Sequence, residues 1–269
     1  LIPWIRGAIV MDLEDKTALV TGAGRGLGRE ISLAFAREGA RVCMFSLARD
    51  ELEEAAARIA QAGGECAICP GDVASERDVT SALSLTMKRF GGIDILVNNA
   101  GIIGPARFLE ETTPERWRQV MDVNLTGSYL CCRGVAAHMK DSGGGAIITI
   151  TSGLGQMPFP RFSAYAASKA GLIQLTRSLS EELRPFHIRV NGIDPGLMDT
   201  DLGAEIRSMG PSILGEDLYR TMADYKEKSV LKDPADVAEL AVFLASGRSA
   251  GLSGHIGTMR YYRDQGYKA

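Results

Sequence analysis

Short apolar runs rich in Val and Ile alternate along the chain with longer stretches in which apolar residues return every three or four positions. The first pattern suits strands buried on both faces. The second suits helices with one face on a core, and their alternation signals repeated strand-helix-strand units around a parallel sheet. The runs place strands at Thr17 to Thr21, Arg41 to Ser46, Glu65 to Pro70, Ile93 to Asn98, Ala146 to Thr151, Arg189 to Asp194 and Ser253 to Met259. The expected architecture is one α/β domain, a doubly wound parallel sheet of seven strands flanked by helices.

Local signals place several helix starts. Ser75 with Asp78 can form a capping box, and Thr113 before Pro114 and Asp233 before Pro234 put a cap ahead of a first-turn proline. The stretch from Met198 to Ser229 is broken by Gly203, Gly210, Pro211 and Gly215 and reads as a mobile flap, residues 198–229. No repeat or Pro/Gly/Ser-rich linker divides the chain, so residues 11–269 form one domain. Residues 1–10 precede Met11 and read as an upstream extension or an expression remnant.

Composition narrows the function classes. Of 269 residues, 45% are hydrophobic and 23% charged, enough to bury a sizeable core. A formal charge of -3 without a Lys/Arg run gives no basis for nucleic-acid binding. No apolar run approaches the length of a membrane span, and Pro3, Arg6 and Gly7 break the opening segment, so the expected protein is cytoplasmic and off the membrane. The five cysteines form no paired framework. Cys66 and Cys69 make a lone C-x-x-C, but on a strand residues three apart face opposite sides, and no second pair at zinc-ligand spacing exists. The expected roles are structural thiols and no metal.

The chemistry-bearing residues cluster at strand ends. The first strand runs into Thr21-Gly22-Ala23-Gly24-Arg25-Gly26-Leu27-Gly28 and then a helical pattern. Glycines there let the backbone turn tightly against a pyrophosphate, whose charge is stabilised by the unpaired N–H groups at the helix start. Ser152 ends the fifth strand, Tyr165 follows thirteen residues later, and Lys169 lies four beyond it on the same helical face. Asn98-Asn99-Ala100-Gly101 follows the fourth strand, Asn124 sits in Asn124-Leu125-Thr126-Gly127, and Pro195-Gly196 with Thr200 follows the sixth. With these motifs the chain, from about Lys16 to Thr258, closely resembles the short-chain dehydrogenase/reductase family.

The resemblance implies a Rossmann-like fold and a hydride transfer between NADP(H) or NAD(H) and a secondary alcohol or its ketone. It implies that Gly22, Gly26 and Gly28 hold the pyrophosphate, with Gly24, Arg25 and Leu27 in the same turn. Asp72 and Val73 would reach the adenine, Asn98 to Gly101 would stabilise the sheet and line the ribose side through Asn99, Ala100 and Gly101, and Ile193, Pro195, Gly196 and Thr200 would lie by the nicotinamide. The catalytic set carried over is Asn124, Ser152, Tyr165 and Lys169, with Tyr165 and Lys169 also touching the cofactor. Asn124 would help hold a water that connects Lys169 to solvent. A homotetramer or dimer is implied in the same way. Many relatives end in a Val-Asp-Gly-Gly type motif, whereas this chain reads Gly257-Thr258-Met259-Arg260-Tyr261-Tyr262, which departs from subunit contacts built there.

Chemistry accounts for the same types. Moving a hydride from an alcohol carbon requires the hydroxyl proton to leave too, so one group must act as base in oxidation and acid in reduction. A tyrosine does both if its pKa, about 10, moves toward neutral. One ammonium near 4 Å supplies on the order of 4 kcal/mol at an effective dielectric of about 20, so Lys169 is expected to lower the Tyr165 pKa. Ser152 would hydrogen-bond the substrate oxygen.

Leu154, Met157, Phe159, Phe162, Leu197 and Met198 flank these groups and predict a mainly apolar substrate pocket for a small carbonyl or alcohol, under the flap. At the end of the second strand Ser46 replaces the acid that reads the ribose in NAD-selective relatives. Arg25 and Arg49 are near enough to meet a 2′-phosphate, so NADP(H) is the expected cofactor, with NAD(H) as the alternative. Two other readings are a non-catalytic nicotinamide-nucleotide-binding sensor and an epimerase or dehydratase. The intact Asn124, Ser152, Tyr165 and Lys169 set opposes the first, and the short substrate region opposes the second.

Overall fold

A computed structural model describes residues 11–228 and 231–268. The extension at 1–10 and the flap's last residue, Ser229, lie outside the described residues. Strand β1 (Thr17–Thr21) is buried along its whole length, as a central parallel strand must be, and is flanked by β2 (Arg41–Ser46) and β4 (Ile95–Asn98). With β3 (Cys66–Pro70), β5 (Gly145–Ile150), β6 (Ile188–Ile193) and β7 (Ile256–Gly257) they form one seven-stranded parallel sheet, ordered β3-β2-β1-β4-β5-β6-β7. The winding reverses between β1 and β4. Such a crevice at the carboxyl ends of the strands is where doubly wound sheets bind ligands.

Helices cover both faces. Helix α1 (Gly26–Arg37) buries Leu27, Ile31, Ala34 and Phe35 at helical spacing, and α2 (Arg49–Gln61) buries Leu52, Ala55 and Ile59. Helix α3 (Glu76–Phe90) starts at Ser75, whose hydroxyl accepts from the Asp78 N–H, and stops at Gly91 with φ 85°. The expected capping box is only half made: Asp78 Oδ2 accepts from the Asp72 N–H at 3.2 Å, while the Ser75 N–H donates to the Asp72 carbonyl. Helices α4 (Pro114–Met121), α5 (Gly127–Asp141) and α6 (Ser163–Leu183) follow, with Thr113 capping α4 ahead of Pro114 as expected.

The flap carries three helices, α7 (Asp201–Ser208), α8 (Pro211–Leu214) and α9 (Glu216–Glu227), before α10 (Pro234–Ala245), which Asp233 caps. The two cysteines of the C-x-x-C face opposite sides: Cys66 packs against the cluster holding Ile31 and Phe35, and Cys69 against that holding Leu96 and Val135. No helix among the described residues is long and apolar enough to cross a membrane.

The last strand is shorter than the apolar pattern from Ser253 to Met259 implies. Gly254 turns at φ 82°, and Thr258 caps α11 (Met259–Asp264) by accepting from the Tyr261 N–H, so only Ile256 and Gly257 stay extended. The tail then folds onto the core. Tyr262 is fully buried, and its hydroxyl lies 2.9 Å from the carbonyls of both Gly192 and His255, joining α11 to β6. Tyr262→Phe is expected to cost about 1 to 2 kcal/mol by leaving these carbonyls without that donor, measured as a lower urea midpoint at unchanged slope. An unshifted midpoint would mean the hydroxyl contributes nothing.

Candidate active site

The glycine turn is held by its neighbours in space. Thr21 Oγ1 accepts from the N–H groups of Asn99 and Ala100 at 3.0 Å each, and Asn99 Nδ2 donates to the carbonyls of Thr21 at 2.9 Å and Gly22 at 3.1 Å. Asn99 thus lines the cleft and also fixes the turn from across the β1–β4 junction. Gly22 and Gly26 adopt φ 62° and 53°. A Cβ on Gly28 would meet the Gly22 carbonyl at 2.2 Å, so Gly28 permits the helix to pack on the turn and does not face the cleft. Gly24 faces Glu51, whose Cβ would be 2.9 Å from an added methyl.

A cleft of about 800 Å³ runs from this turn to the end of β5, large enough for a dinucleotide. No side chain caps α1, so its first N–H groups are unpaired donors suited to phosphate. Asp72, Val73 and Ser46 line one end; Tyr165, Lys169, Pro195, Met198 and Thr200 line the other. These residues fit a nicotinamide dinucleotide. Arg49 departs from expectation: it pairs with Glu53 one helical turn on, at 3.6 Å, and is not in the lining. Arg25 does line the cleft, but its guanidinium lies between two carboxylates, Glu51 at 3.8 Å and Asp201 at 3.6 Å. Gly196 is exposed at φ 68°, outside the lining. Ile193 is core, packed with Ile148 and Ile150.

At the other end Ser152 follows β5, with its hydroxyl 3.3 Å from the Leu154 N–H. Tyr165 and Lys169 project from the first two turns of α6 and are 8% and 4% exposed. Lys169 Nζ donates to the Ile150 carbonyl at 2.8 Å and sits 5.6 Å from the Tyr165 ring centre. Burial decides the titration. It pushes the Tyr165 phenol up to about 12, against a hydrogen bond from Ser152 that pulls down, and the Asp194 carboxylate raises it further. Burial also lowers Lys169 to about 8, partly offset by Asp194. The expected lowering of Tyr165 by Lys169 is therefore not what the chain's own groups produce: the loss of water around the phenol outweighs the stabilisation of its anion. What they hold at neutral pH is a protonated phenol.

Asn124 is fully buried in one π-helical turn, Asp122–Thr126, a rare form frequent at functional sites. Its Oδ1 accepts from the Ile102 N–H at 2.8 Å, and Nδ2 donates to the Ile102 carbonyl and to Ser168 Oγ, both at 2.9 Å. Both amide hydrogens are thus committed to protein. Asn124 ties the loop after β4 to α6, which carries Tyr165 and Lys169. A Cβ on Gly101 would lie 3.3 Å from Asn124 Oδ1 and 3.7 Å from Lys169 Nζ, so glycine lets the three approach.

Of the six apolar residues expected around the substrate, Leu154, Phe159, Phe162 and Leu197 gather with Tyr165 and with Leu202, Leu214 and Met222 of the flap in one cluster. Phe162 is 2% exposed, a base for the cluster more than a wall of a cavity. Met157 is 63% exposed. Met198 borders the core cluster that holds Ile148 and Ile193 and lines the cleft, and its backbone bridges to Lys232 at the flap's base. Asp199 closes that base through ion pairs to Arg207 and Lys226. Two carboxylates escaped sequence reasoning. Glu51 lies two residues into α2, and Asp194 immediately precedes Pro195-Gly196; each lies beside a recognised motif without being part of it.

A fold and site of this kind invite comparison with known proteins. The family model described as short chain dehydrogenase matches residues 16–210. A 7alpha-hydroxysteroid dehydrogenase of Escherichia coli strain K12 is 33% identical over 247 residues, covering 92% of this chain and 93% of that protein. A 2-(R)-hydroxypropyl-CoM dehydrogenase of Xanthobacter autotrophicus is 36% identical over 240 residues, covering 89% and 95%. Among solved structures, a 7 alpha-hydroxysteroid dehydrogenase complexed with NADH and 7-oxo glycochenodeoxycholic acid superposes with a TM-score of 0.84 at 32% identity, covering 93% of this chain and 94% of that one. The chain belongs to the short-chain dehydrogenase/reductase family and is an oxidoreductase of that family that uses a nicotinamide cofactor.

Proposed function

We propose that the protein moves a hydride between NADP(H) or NAD(H) and a secondary alcohol or its ketone, on a small, largely apolar substrate. The observation that carries this reading is that Tyr165 and Lys169 line the same cleft as Gly22 and Gly26. In it Tyr165 passes the proton, Ser152 orients the reacting oxygen, Lys169 holds the nicotinamide ribose and the charge beside the phenol, and Asn124 positions α6. Gly22, Gly26 and the start of α1 would hold the pyrophosphate, and Asp72 and Val73 the adenine. The bound cofactor supplies or accepts the hydride. A panel of ketones and alcohols, followed by absorbance of the reduced nicotinamide with both cofactors, tests the reading. Tight cofactor binding with no turnover across the panel would favour a sensor instead. A cytoplasmic homo-oligomer belongs to the same reading through family membership, and light scattering checks the assembly.

For the cofactor, Ser46 and Arg25 support NADP(H), because no acid ends β2 and a guanidinium lines the cleft. Glu51 opposes it, since its carboxylate shares that guanidinium and would face a 2′-phosphate. Removing one charge near 4 Å is worth about 1 kcal/mol in water. Glu51→Gln is therefore expected to shift the NADPH-to-NADH affinity ratio roughly fivefold toward NADPH, read from nicotinamide fluorescence titrations. An unchanged ratio would remove Glu51 from cofactor selection.

A further inference from the structure

Against the Ser152–Gly153 segment stands a carboxylate that takes no part in the proton transfer itself. Asp194 leaves β6 half-buried, anchored by its own N–H to the Gly257 carbonyl at 2.8 Å. Its Oδ1 accepts from the Gly196 N–H at 3.0 Å, which orients the carboxylate. Oδ2 points the other way, against the residue after Ser152: a Cβ on Gly153 would lie 3.4 Å from it. Among the described residues Oδ2 has no hydrogen-bond or ion-pair partner, and it is not among the buried polar atoms left without one, so it reaches open space. Its charge nonetheless acts on both Tyr165 and Lys169.

Such a group is costly for a plain ketone. In reduction the carbonyl oxygen beside Ser152 and Tyr165 gains negative charge, and a nearby carboxylate opposes that gain. A hydroxyl on the neighbouring carbon removes the conflict, because it donates to Oδ2 and turns an opposing charge into a binding contact. A cationic substituent is the poorer match: Lys169 lies at the same end, and Lys232 Nζ reaches the Pro195 carbonyl at 3.0 Å. Leu154, Phe159 and Leu197, on the Tyr165 side, supply apolar surface for the rest of the molecule.

We propose that Asp194 Oδ2 is a specificity-determining acceptor that selects substrates with a hydroxyl on the carbon next to the reacting carbonyl and an apolar remainder. This rests on the oxidoreductase reading above. The test compares 1-hydroxyoctan-2-one with nonan-3-one, which differ by a hydroxyl in place of a methyl. The wild type is expected to favour the hydroxyketone in kcat/KM by roughly tenfold to a hundredfold, the range for a hydrogen bond to a charged group. In Asp194→Ala the preference should collapse to about threefold or less, and in Asp194→Asn it should be intermediate. Because each preference is a ratio within one variant, a partial loss of folded protein cancels.

No preference in the wild type, or the same preference in Asp194→Ala, would overturn the proposal. Should neither ketone be reduced with either cofactor, the oxidoreductase reading has failed. The affinities of the two ketones for the protein saturated with reduced cofactor, measured by calorimetry, then decide the proposal separately, and equal affinities overturn it.

Discussion

Tyr165→Phe is expected to lower kcat by about 10² to 10⁴, the usual contribution of a positioned acid or base, while cofactor affinity stays nearly unchanged. The substitution removes one oxygen from a side chain 8% exposed and leaves the ring that packs with Phe162 and Leu214. Steady-state kinetics with a fluorescence-derived cofactor Kd checks both halves, and wild-type kcat in the variant would discard Tyr165 as the proton-transfer group. Direction of turnover adds a pH signature. The phenol is held up at about 12, so it is protonated throughout the neutral range. Reduction, which needs the proton, is expected to change little below the Lys169 value of about 8, whereas oxidation, which needs the phenolate, should rise with pH. Asp194→Asn removes a charge that raises the phenol and is expected to move the oxidation profile to lower pH.

Gly28→Ala is expected to cost more than its single methyl group suggests. The new carbon would lie 2.2 Å from the Gly22 carbonyl oxygen and 2.4 Å from Asn99 Nδ2. Neither can retreat easily: the Gly22 N–H is bonded to the Phe45 carbonyl at 2.7 Å, and Asn99 spans β1 and the loop after β4. Overpacking of a tight site costs roughly 1 to 3 kcal/mol, and a clash with backbone lies at the upper end. The relief available is to push α1 off the turn, which moves the N–H groups that would bind phosphate. The expected result is a thermal midpoint lower by several degrees together with at least a tenfold weaker cofactor Kd, since positioning of those donors sets the affinity. A variant with both values unchanged would show that the turn yields.

How much of this was legible in the sequence depends on whether a property is local. Strands β1 and β2 follow from apolar runs that a doubly covered sheet requires, and both ends of each agree with the pattern. That Tyr165 and Lys169 share a helical face follows from their spacing, and their pairing as a site follows from the family resemblance. β7 was overdrawn because Thr258 reads as a strand residue until Tyr261 is seen to donate its N–H to it. The pKa of Tyr165 went the other way because a one-partner Coulomb argument carries no desolvation, and burial is a property of the whole α6–flap packing. Arg49 is assigned by nearness along the chain, but an i,i+4 pair with Glu53 claims it. Glu51 and Asp194 were passed over because their importance lies in what stands across from them in space, Arg25 in one case and the Ser152–Gly153 peptide in the other.

The cysteines have a practical consequence. All five are free, four of them buried, and burial pushes the Cys43 and Cys132 thiols up to about 12, with Cys131 raised as well. Thiolate is the reactive form, so alkylating reagents find almost none of it while the sheet stays closed. Cys43 sits on β2 and the adjacent pair on α5, on the same face of the sheet. Trapping of these three by a maleimide would therefore clock the opening of that layer, with Cys66, half-buried on β3, as the edge-strand reference within the same molecule.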